Sequence, residues 1–204
     1  ASAGSAALIK LSSNIKIPRQ EQTRLLTLAE RGARAYDELK DHNRAANAWR
    51  KTAEVFGKIG DVDGRIRCLR ALGATLDANG KPRDSLEARR EAVMMARGAG
   101  QNALAASIVQ EMIQSFIALN DLDNALEGFT ELVPIIEEAG NIRGAVQVLE
   151  ARGLLLAKQG RPEEATRDLS NARNRYLAQV GDVWAAANVS LELAHAMIAS
   201  QKTK

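Results

Sequence analysis

The fold is decided by the ten residues ALNDLDNALE at 118–127, because this stretch recurs in altered form every forty residues. Its counterparts are ELKDHNRAAN at 38–47, ANGKPRDSLE at 78–87 and KQGRPEEATR at 158–167. Glycine keeps the same period at Gly60, Gly100 and Gly140 and comes one residue late at Gly181. A period of this length is typical of solenoids that stack helical hairpins.

The composition favours an all-α chain. Hydrophobic residues make up 46% of the 204 residues but aromatic residues only 3%, so alanine and leucine dominate, as in closely packed helices. The net charge of +3 arises from 28 basic and 25 acidic residues that are interleaved along the chain. This pattern indicates a solvated helical surface and argues against a nucleic-acid-binding protein.

Cysteine usage and hydropathy bear on the compartment. The single cysteine, Cys68, excludes an internal disulfide and favours the cytoplasm or another reducing compartment. The chain begins with Ala1 instead of methionine, so a trimmed chain or a processed organellar chain is also consistent with the sequence. No apolar run approaches the roughly 18 to 20 residues that cross a bilayer, so we expect no membrane insertion.

We divide the chain into a tail, a repeat region and a last helix. Residues 1–18 lack an amphipathic period and are rich in serine and alanine, and we expect a tail held by Leu8, Ile9 and Leu11. From 19 to 204 we expect a solenoid of antiparallel helical hairpins, with repeats at about 19–60, 61–100, 101–140 and 141–181 and a lone helix at 182–200.

The lone helix carries apolar residues around most of its circumference, which is unlike a polar capping helix. Trp184, Leu191 and Ile198 are our candidates for an assembly surface on it. Either the native array continues beyond residue 204, or a second copy or another protein packs there. The sequence leaves these alternatives open.

The repeats resemble those of the tetratricopeptide repeat (TPR) family. That family has a large residue late in the first helix, a glycine and an acidic residue at the turn, an alanine nine residues after the large residue, and another large residue in the second helix. Here the first large position holds Tyr36, Leu76, Phe116 and Leu156, the small position holds Ala45, Ser85, Ala125 and Ala165, and the second large position holds Trp49, Phe129 and Leu169. Arg89 departs from the pattern in the second repeat.

The forty-residue period resembles the extended repeats of kinesin light chains, cortical polarity adaptors and bacterial signal-transduction regulators. The resemblance implies a right-handed α-solenoid of about four repeats plus one C-terminal helix. It also implies a protein-binding scaffold or adaptor that holds a peptide or protein segment on the concave face formed by the first helices.

Carried over residue by residue, the resemblance gives a basic entrance and an amide-rich floor to that groove. Arginine binds carboxylates through charge-assisted hydrogen bonds, so an acidic peptide is the expected ligand. The predicted peptide-binding residues are Arg31, Arg34, Arg67, Arg70, Gln110, Gln114, Gln147 and Asn188. One subclass grips chaperone tails with a lysine and an asparagine of the first repeat, but those positions here carry Glu30 and Arg34.

Simpler explanations compete with each of these assignments. The arginines could be ordinary surface residues paired with Glu30, Asp37 and Asp77. His42 and His195 lie in different repeats without neighbouring ligands, so we predict no metal site, and Cys68 is predicted to be a packing residue. No phosphate-binding loop, nucleophile elbow or carboxylate pair is present, so neither a cofactor nor an enzymatic activity is predicted. The alternative to a peptide-binding scaffold is a structural or sensor segment of a larger assembly, docked or self-associated through the last helix.

Overall fold

The computed structural model describes residues 2–13 and 17–202. Within these residues the chain forms ten α-helices, one π-helical turn at Tyr176–Val180, and no strand. The helices are α1 (Ser2–Ser13), α2 (Arg19–Glu38), α3 (His42–Ile59), α4 (Val62–Ala78), α5 (Pro82–Gly98), α6 (Asn102–Ala118), α7 (Leu122–Glu138), α8 (Ile142–Lys158), α9 (Pro162–Arg175) and α10 (Val183–Lys202). The predicted all-α repeat fold is confirmed.

Recurring residue types define the helix boundaries. Five helices begin after a side chain that accepts a hydrogen bond from the backbone N–H three residues later, and these N-caps are Asp41, Asp61, Asp121, Asn141 and Asp182. Helices α5 and α9 begin instead with Pro82 and Pro162, whose fixed φ suits the first helical turn. Within each unit, connections of only two or three residues from α2 to α5 and from α6 to α9 make successive helices antiparallel.

The chain forms two compact units, Ala1–Gln101 and Asn102–Lys204, which we call the N-terminal and C-terminal units. In each unit consecutive helices pack against one another. Small residues allow the close approach within a hairpin, because a Cβ added to Gly73 would lie 2.8 Å from Arg89 and one added to Gly153 would lie 2.9 Å from Leu169. Each core is therefore a stack of helix interfaces.

The N-terminal segment is a helix, where the sequence predicted a tail. Helix α1 packs on α2 and buries Ala7, Leu8 and Leu11, while Ile9 is exposed. The approach is close enough that a Cβ on Gly4 would lie 2.8 Å from the Gly32 Cα. Two of the three residues expected to hold the segment are therefore buried, and residues 1 and 14–16 of the predicted tail lie outside the described part of the chain.

The π-helical turn explains the late glycine. At each earlier turn from α2 to α9 the helix is closed by an N–H that donates to the carbonyl five residues back, as from Asp61 to Phe56. At the last turn the Asp182 N–H donates to the Tyr176 carbonyl six residues back, at 2.9 Å. The inserted residue is absorbed in the π turn, so Gly181 still closes the helix in the left-handed conformation, with φ 71°.

Candidate functional site

The N-terminal unit contains a groove of about 410 Å³ between α2 and α4, closed at one end by the start of α3. We call it the α2–α4 groove. One wall carries charged and polar side chains, and the α4 wall is mainly alanine. The lining residues are Glu30, Arg34, Asp37, His42, Trp49, Arg67, Ala71, Ala74, Thr75 and Ala78.

Asp37 organises the base of this groove. Its carboxylate accepts a hydrogen bond from the Trp49 Nε1–H at 2.8 Å and from the Thr75 hydroxyl at 2.9 Å. The His42 Nδ1 lies 3.5 Å from the same carboxylate. Trp49 and Thr75 are almost fully buried, so Asp37 ties α2 to both α3 and α4 and fixes the indole against the groove.

The two arginines of the groove differ in their partners. Arg67 Nη2 lies 3.5 Å from Glu30 Oε1, and its guanidinium lies 5.8 Å from the centre of the Phe56 ring. Arg34 is exposed and, within residues 2–13 and 17–202, forms no hydrogen bond or ion pair. The ordinary surface pairing that competes with the binding-site prediction therefore applies to Arg67 but not to Arg34.

Cys68 lies behind the groove and is fully buried, in agreement with its predicted packing role. Its Sγ lies 3.9 Å from Glu30 Oε1. Burial, and to a smaller extent the Glu30 carboxylate, raises the pKa of the Cys68 thiol to about 12. The thiol therefore stays protonated near neutral pH and is a poor nucleophile.

The structure brings Arg34 and Arg67 together in one groove, whereas Arg31 and Arg70 lie outside its lining. Arg31 is exposed on α2, and Arg70 is partly buried on α4. A wider cleft of about 1000 Å³ adjoins the groove, extends along α2 toward Arg19 and Ile17, and shares Glu30 and Arg67 with it. Sequence reasoning missed Trp49 and Thr75 as groove residues, because they lie on α3 and α4 and meet at Asp37 of α2 only in the folded chain.

The predicted amides of the C-terminal unit are all exposed. Gln110 and Gln114 lie on α6, Gln147 on α8 and Asn188 on α10. None of the four forms a hydrogen bond within the described residues. They are available for contact, and their role in binding stays a prediction.

The C-terminal unit has its own version of the α2–α4 groove, a cavity of about 280 Å³ between α8, α9 and α10. At the repeat positions of Arg34, Asp37, His42 and Trp49 it carries Leu154, Ala157, Pro162 and Leu169. Only Glu192 and His195 among its lining residues are ionisable. The equivalent place is thus polar in one unit and mostly apolar in the other.

A second groove of the C-terminal unit, of about 430 Å³, lies between α7, α8 and α9 and was not predicted. Arg152 donates from Nε and Nη2 to the two oxygens of Asp168, at 2.7 and 2.8 Å, and from Nη1 to the Thr130 hydroxyl at 2.7 Å. The hydrogen bond to Asp168 is the main cause that raises the pKa of Arg152. Four carboxylates and three guanidinium groups line this groove, so its charges largely neutralise one another.

The predicted assembly residues lie exposed on α10. Trp184 is 84% exposed, Leu191 59% and Ile198 54%. The opposite face of the helix, which includes Val189 and Leu193, is buried against the rest of the C-terminal unit. Helix α10 is therefore apolar on two faces, of which one is covered.

The described residues also bear on metal ions and on membranes. No three His, Cys, Asp or Glu side chains among them come close enough to hold a metal ion. In the same part of the chain, no helix is both long and apolar enough to cross a bilayer.

No family model matches the sequence, and no curated protein was found to match it. Solved structures do match its fold, and the three that follow are each 14% identical to this chain. Aspartyl phosphate phosphatase F from Bacillus subtilis superposes with a TM-score of 0.57 over 81% of this chain and 43% of its own. A signal transduction ATPase with a tetratricopeptide repeat sensor from Pyrococcus horikoshii superposes with a TM-score of 0.57, over 97% of this chain and 31% of the ATPase. BtubC (BKLC) from P. vanneervenii superposes with a TM-score of 0.54, over 98% of this chain and 90% of BtubC.

At this identity the similarity shows the fold alone. The chain spans less than half the length of the phosphatase and of the ATPase, and most of the length of BtubC. The fold is that of TPR-like helical-repeat proteins, which confirms the resemblance found in the sequence.

Proposed function

We propose that this TPR-like chain is a protein-interaction scaffold that binds an acidic peptide segment in the α2–α4 groove. The observation that carries the proposal is Arg34, an exposed guanidinium at a walled groove that has no carboxylate partner among the described residues. We assign the chain a binding role and no catalytic step.

The charges of the groove favour a carboxylate as ligand. Asp37 is occupied by the Trp49 and Thr75 donors, and Glu30 faces Arg67 and Cys68, so the acidic groups are already engaged. Arg34 retains its full set of side-chain donors, and the carboxylate contact of Arg67 is a long one to Glu30, beside its contact with the Phe56 ring. A ligand carboxylate would bind Arg34 and draw Arg67 from Glu30.

The walls favour an extended segment. The row Ala71, Ala74 and Ala78 offers apolar contact beside the guanidinium groups, and the largely buried Trp49 lines the same groove. The adjoining cleft lengthens the available surface along α2, where Gln22, Thr23 and Thr27 could pair with a peptide backbone. An acidic residue flanked by small apolar residues fits this arrangement.

The test is selection of binders from a random peptide library, followed by fluorescence anisotropy with a selected acidic peptide and with its Gln-for-Glu version. We expect the acidic peptide to bind at least tenfold more tightly, and Arg34→Glu to weaken it at least tenfold. Arg31→Glu is the matched control, because it makes the same charge change on the same helix outside the groove. Equal losses from the two variants would show a general charge effect and would refute the groove assignment.

A second function, a structural or sensor segment of a larger assembly docked through α10, is favoured by the exposure of Trp184, Leu191 and Ile198. Monomeric soluble chains rarely leave a row of large apolar side chains uncovered. The two functions use different surfaces of the chain, so each can be tested while the other surface is intact.

A further inference from the structure

We propose that α10 pairs with α10 of a second copy of the chain in an antiparallel, two-fold symmetric dimer. This inference rests on the second function above and is independent of the α2–α4 groove. It comes from the pattern of side-chain size along the exposed face of α10, which we call the α10 seam.

The α10 seam has a seven-residue repeat. Large residues recur every seven positions, at Trp184, Leu191 and Ile198. Three residues after each of them stands a smaller or polar residue, at Ala187, Ala194 and Gln201. All six side chains are exposed. Such a repeat is the geometry of two helices that pack along their whole length, each knob entering a hole on the other helix.

The chain already uses part of this pattern to hold a helix. Helix α9 and the π-helical turn that continues it pack on α8, and their buried residues Ala165, Leu169, Ala172 and Tyr176 alternate small and large at spacings of four, three and four. The α10 seam has the same alternation at Ala187, Leu191, Ala194 and Ile198. The α10 seam thus has the residue pattern with which α9 packs on α8. No helix among the described residues packs on the seam.

Side-chain volumes select the antiparallel orientation. In a parallel pair, large residues would face large ones and alanines would face alanines, which leaves some layers overfilled and others empty. In an antiparallel pair, Leu191 faces Ala194 of the second copy and Ile198 faces Ala187 of the second copy. Trp184 then reaches Gln201 of the second copy, so the pairing extends over the full length of α10, Val183–Lys202.

Charge is compatible with self-pairing. The seam carries no charged residue, and its two margins are formed by Asn188 and His195 on one side and by Ser190 and Met197 on the other. Glu192 lies beyond the margin. No like charges are therefore forced together in the core of the pair, and the two-fold arrangement closes at two chains.

Sedimentation velocity across a concentration range tests the proposal with a compensating swap. We expect the chain to be a dimer, and Leu191→Ala and Ala194→Leu each to weaken the dimer by about tenfold or more, through a gap and a clash that each occur twice by symmetry. The double variant Leu191→Ala/Ala194→Leu exchanges large for small in the same layer and should restore association. Circular dichroism checks that each variant keeps its helix content, as expected for exposed positions.

Cross-linking tests the orientation. A mixture of Ala187→Cys and Ile198→Cys chains should form a mixed disulfide, whereas Ala187→Cys alone should not; the buried Cys68 is common to all samples. A monomer at every concentration, a dimer indifferent to the seam variants, or a disulfide from Ala187→Cys alone would each overturn the proposal. Peptide binding in the α2–α4 groove is measured on the same seam variants. The dimer proposal and the peptide-binding proposal can therefore fail independently of each other.

Discussion

At the scale of the residue, one repeat position shows how the two units diverge. In two hairpins a residue of the first helix forms a hydrogen bond with the residue twelve places later, and the same two positions recur in the other hairpins. In the N-terminal unit these pairs are polar, since Asp37 accepts from Trp49 and Asp77 accepts from Arg89 at 2.6 Å. In the C-terminal unit the corresponding pairs are Ile117 with Phe129 and Ala157 with Leu169.

Arg89 therefore occupies the same buried position as the large apolar residue of the other repeats. Its side chain is buried, crosses beside Gly73, and donates to Asp77 and to the Ser85 hydroxyl. The departure from the family pattern is accommodated because the second repeat supplies two acceptors at the right distance. A buried guanidinium of this kind needs such partners to offset its desolvation.

Asp37→Ala should destabilise the chain by about 1–3 kcal/mol, because it leaves the buried Trp49 N–H and Thr75 hydroxyl without their acceptor. Urea denaturation followed by circular dichroism measures the change. Glu38→Ala, an exposed neighbour on the same helix, should change stability by less than about 0.5 kcal/mol. Equal effects of the two substitutions would show that Asp37 is not a structural centre.

At the scale of the element, the fourth hairpin has an ion pair at two positions where the second repeat has buried apolar residues. The positions of Arg152 and Asp168 hold Leu72 and Ala88 in the second repeat, which are both buried. The pair is well formed, with two parallel hydrogen bonds and a third to Thr130, and its side chains are 21% and 13% exposed. An ion pair so placed contributes little net stability compared with an apolar pair, because both charges lose solvent.

Asp168→Ala alone should cost about 1–3 kcal/mol, since it leaves the partly buried guanidinium without its main partner. The double variant Arg152→Leu/Asp168→Ala installs the pair of the second repeat and should lie within about 1 kcal/mol of the parent. A denaturation cycle of the four proteins gives the coupling free energy. Additive effects would mean that the two side chains stabilise the hairpin independently.

At the scale of the whole molecule, the period predicted most of the fold. The turn residues Asp41, Asp61, Asp121 and Asn141 act as caps, so the hairpin boundaries follow from local chemistry that a sequence displays. Helix α1 was missed because its burial depends on contact with α2, and a segment rich in serine and alanine has no visible period. Propensity is a weak guide where tertiary contact decides.

The candidate sites were predicted only in part. Arg34 and Arg67 were selected because the family resemblance places the first helices on the binding face, and the exposure of Trp184 follows from the excess of apolar residues on α10. Asp37, Trp49 and Thr75 come together from three helices, and Arg152 meets Asp168 sixteen residues away. Such contacts depend on how successive helices pack. The spacing of residues within one repeat does not reveal this packing.

The two tryptophans give the molecule a built-in pair of optical reporters, one in each unit. Trp49 is 4% exposed and should emit at short wavelength at every protein concentration, whereas Trp184 is 84% exposed in the single chain and should emit like an indole in water when the protein is too dilute to pair. In dilute protein the red shift on unfolding should therefore survive Trp184→Phe and disappear in Trp49→Phe. A red shift that persists in Trp49→Phe would show that the surroundings of Trp184 are apolar in the folded chain. The dependence of that red shift on protein concentration would then measure how much of the protein is paired through the α10 seam.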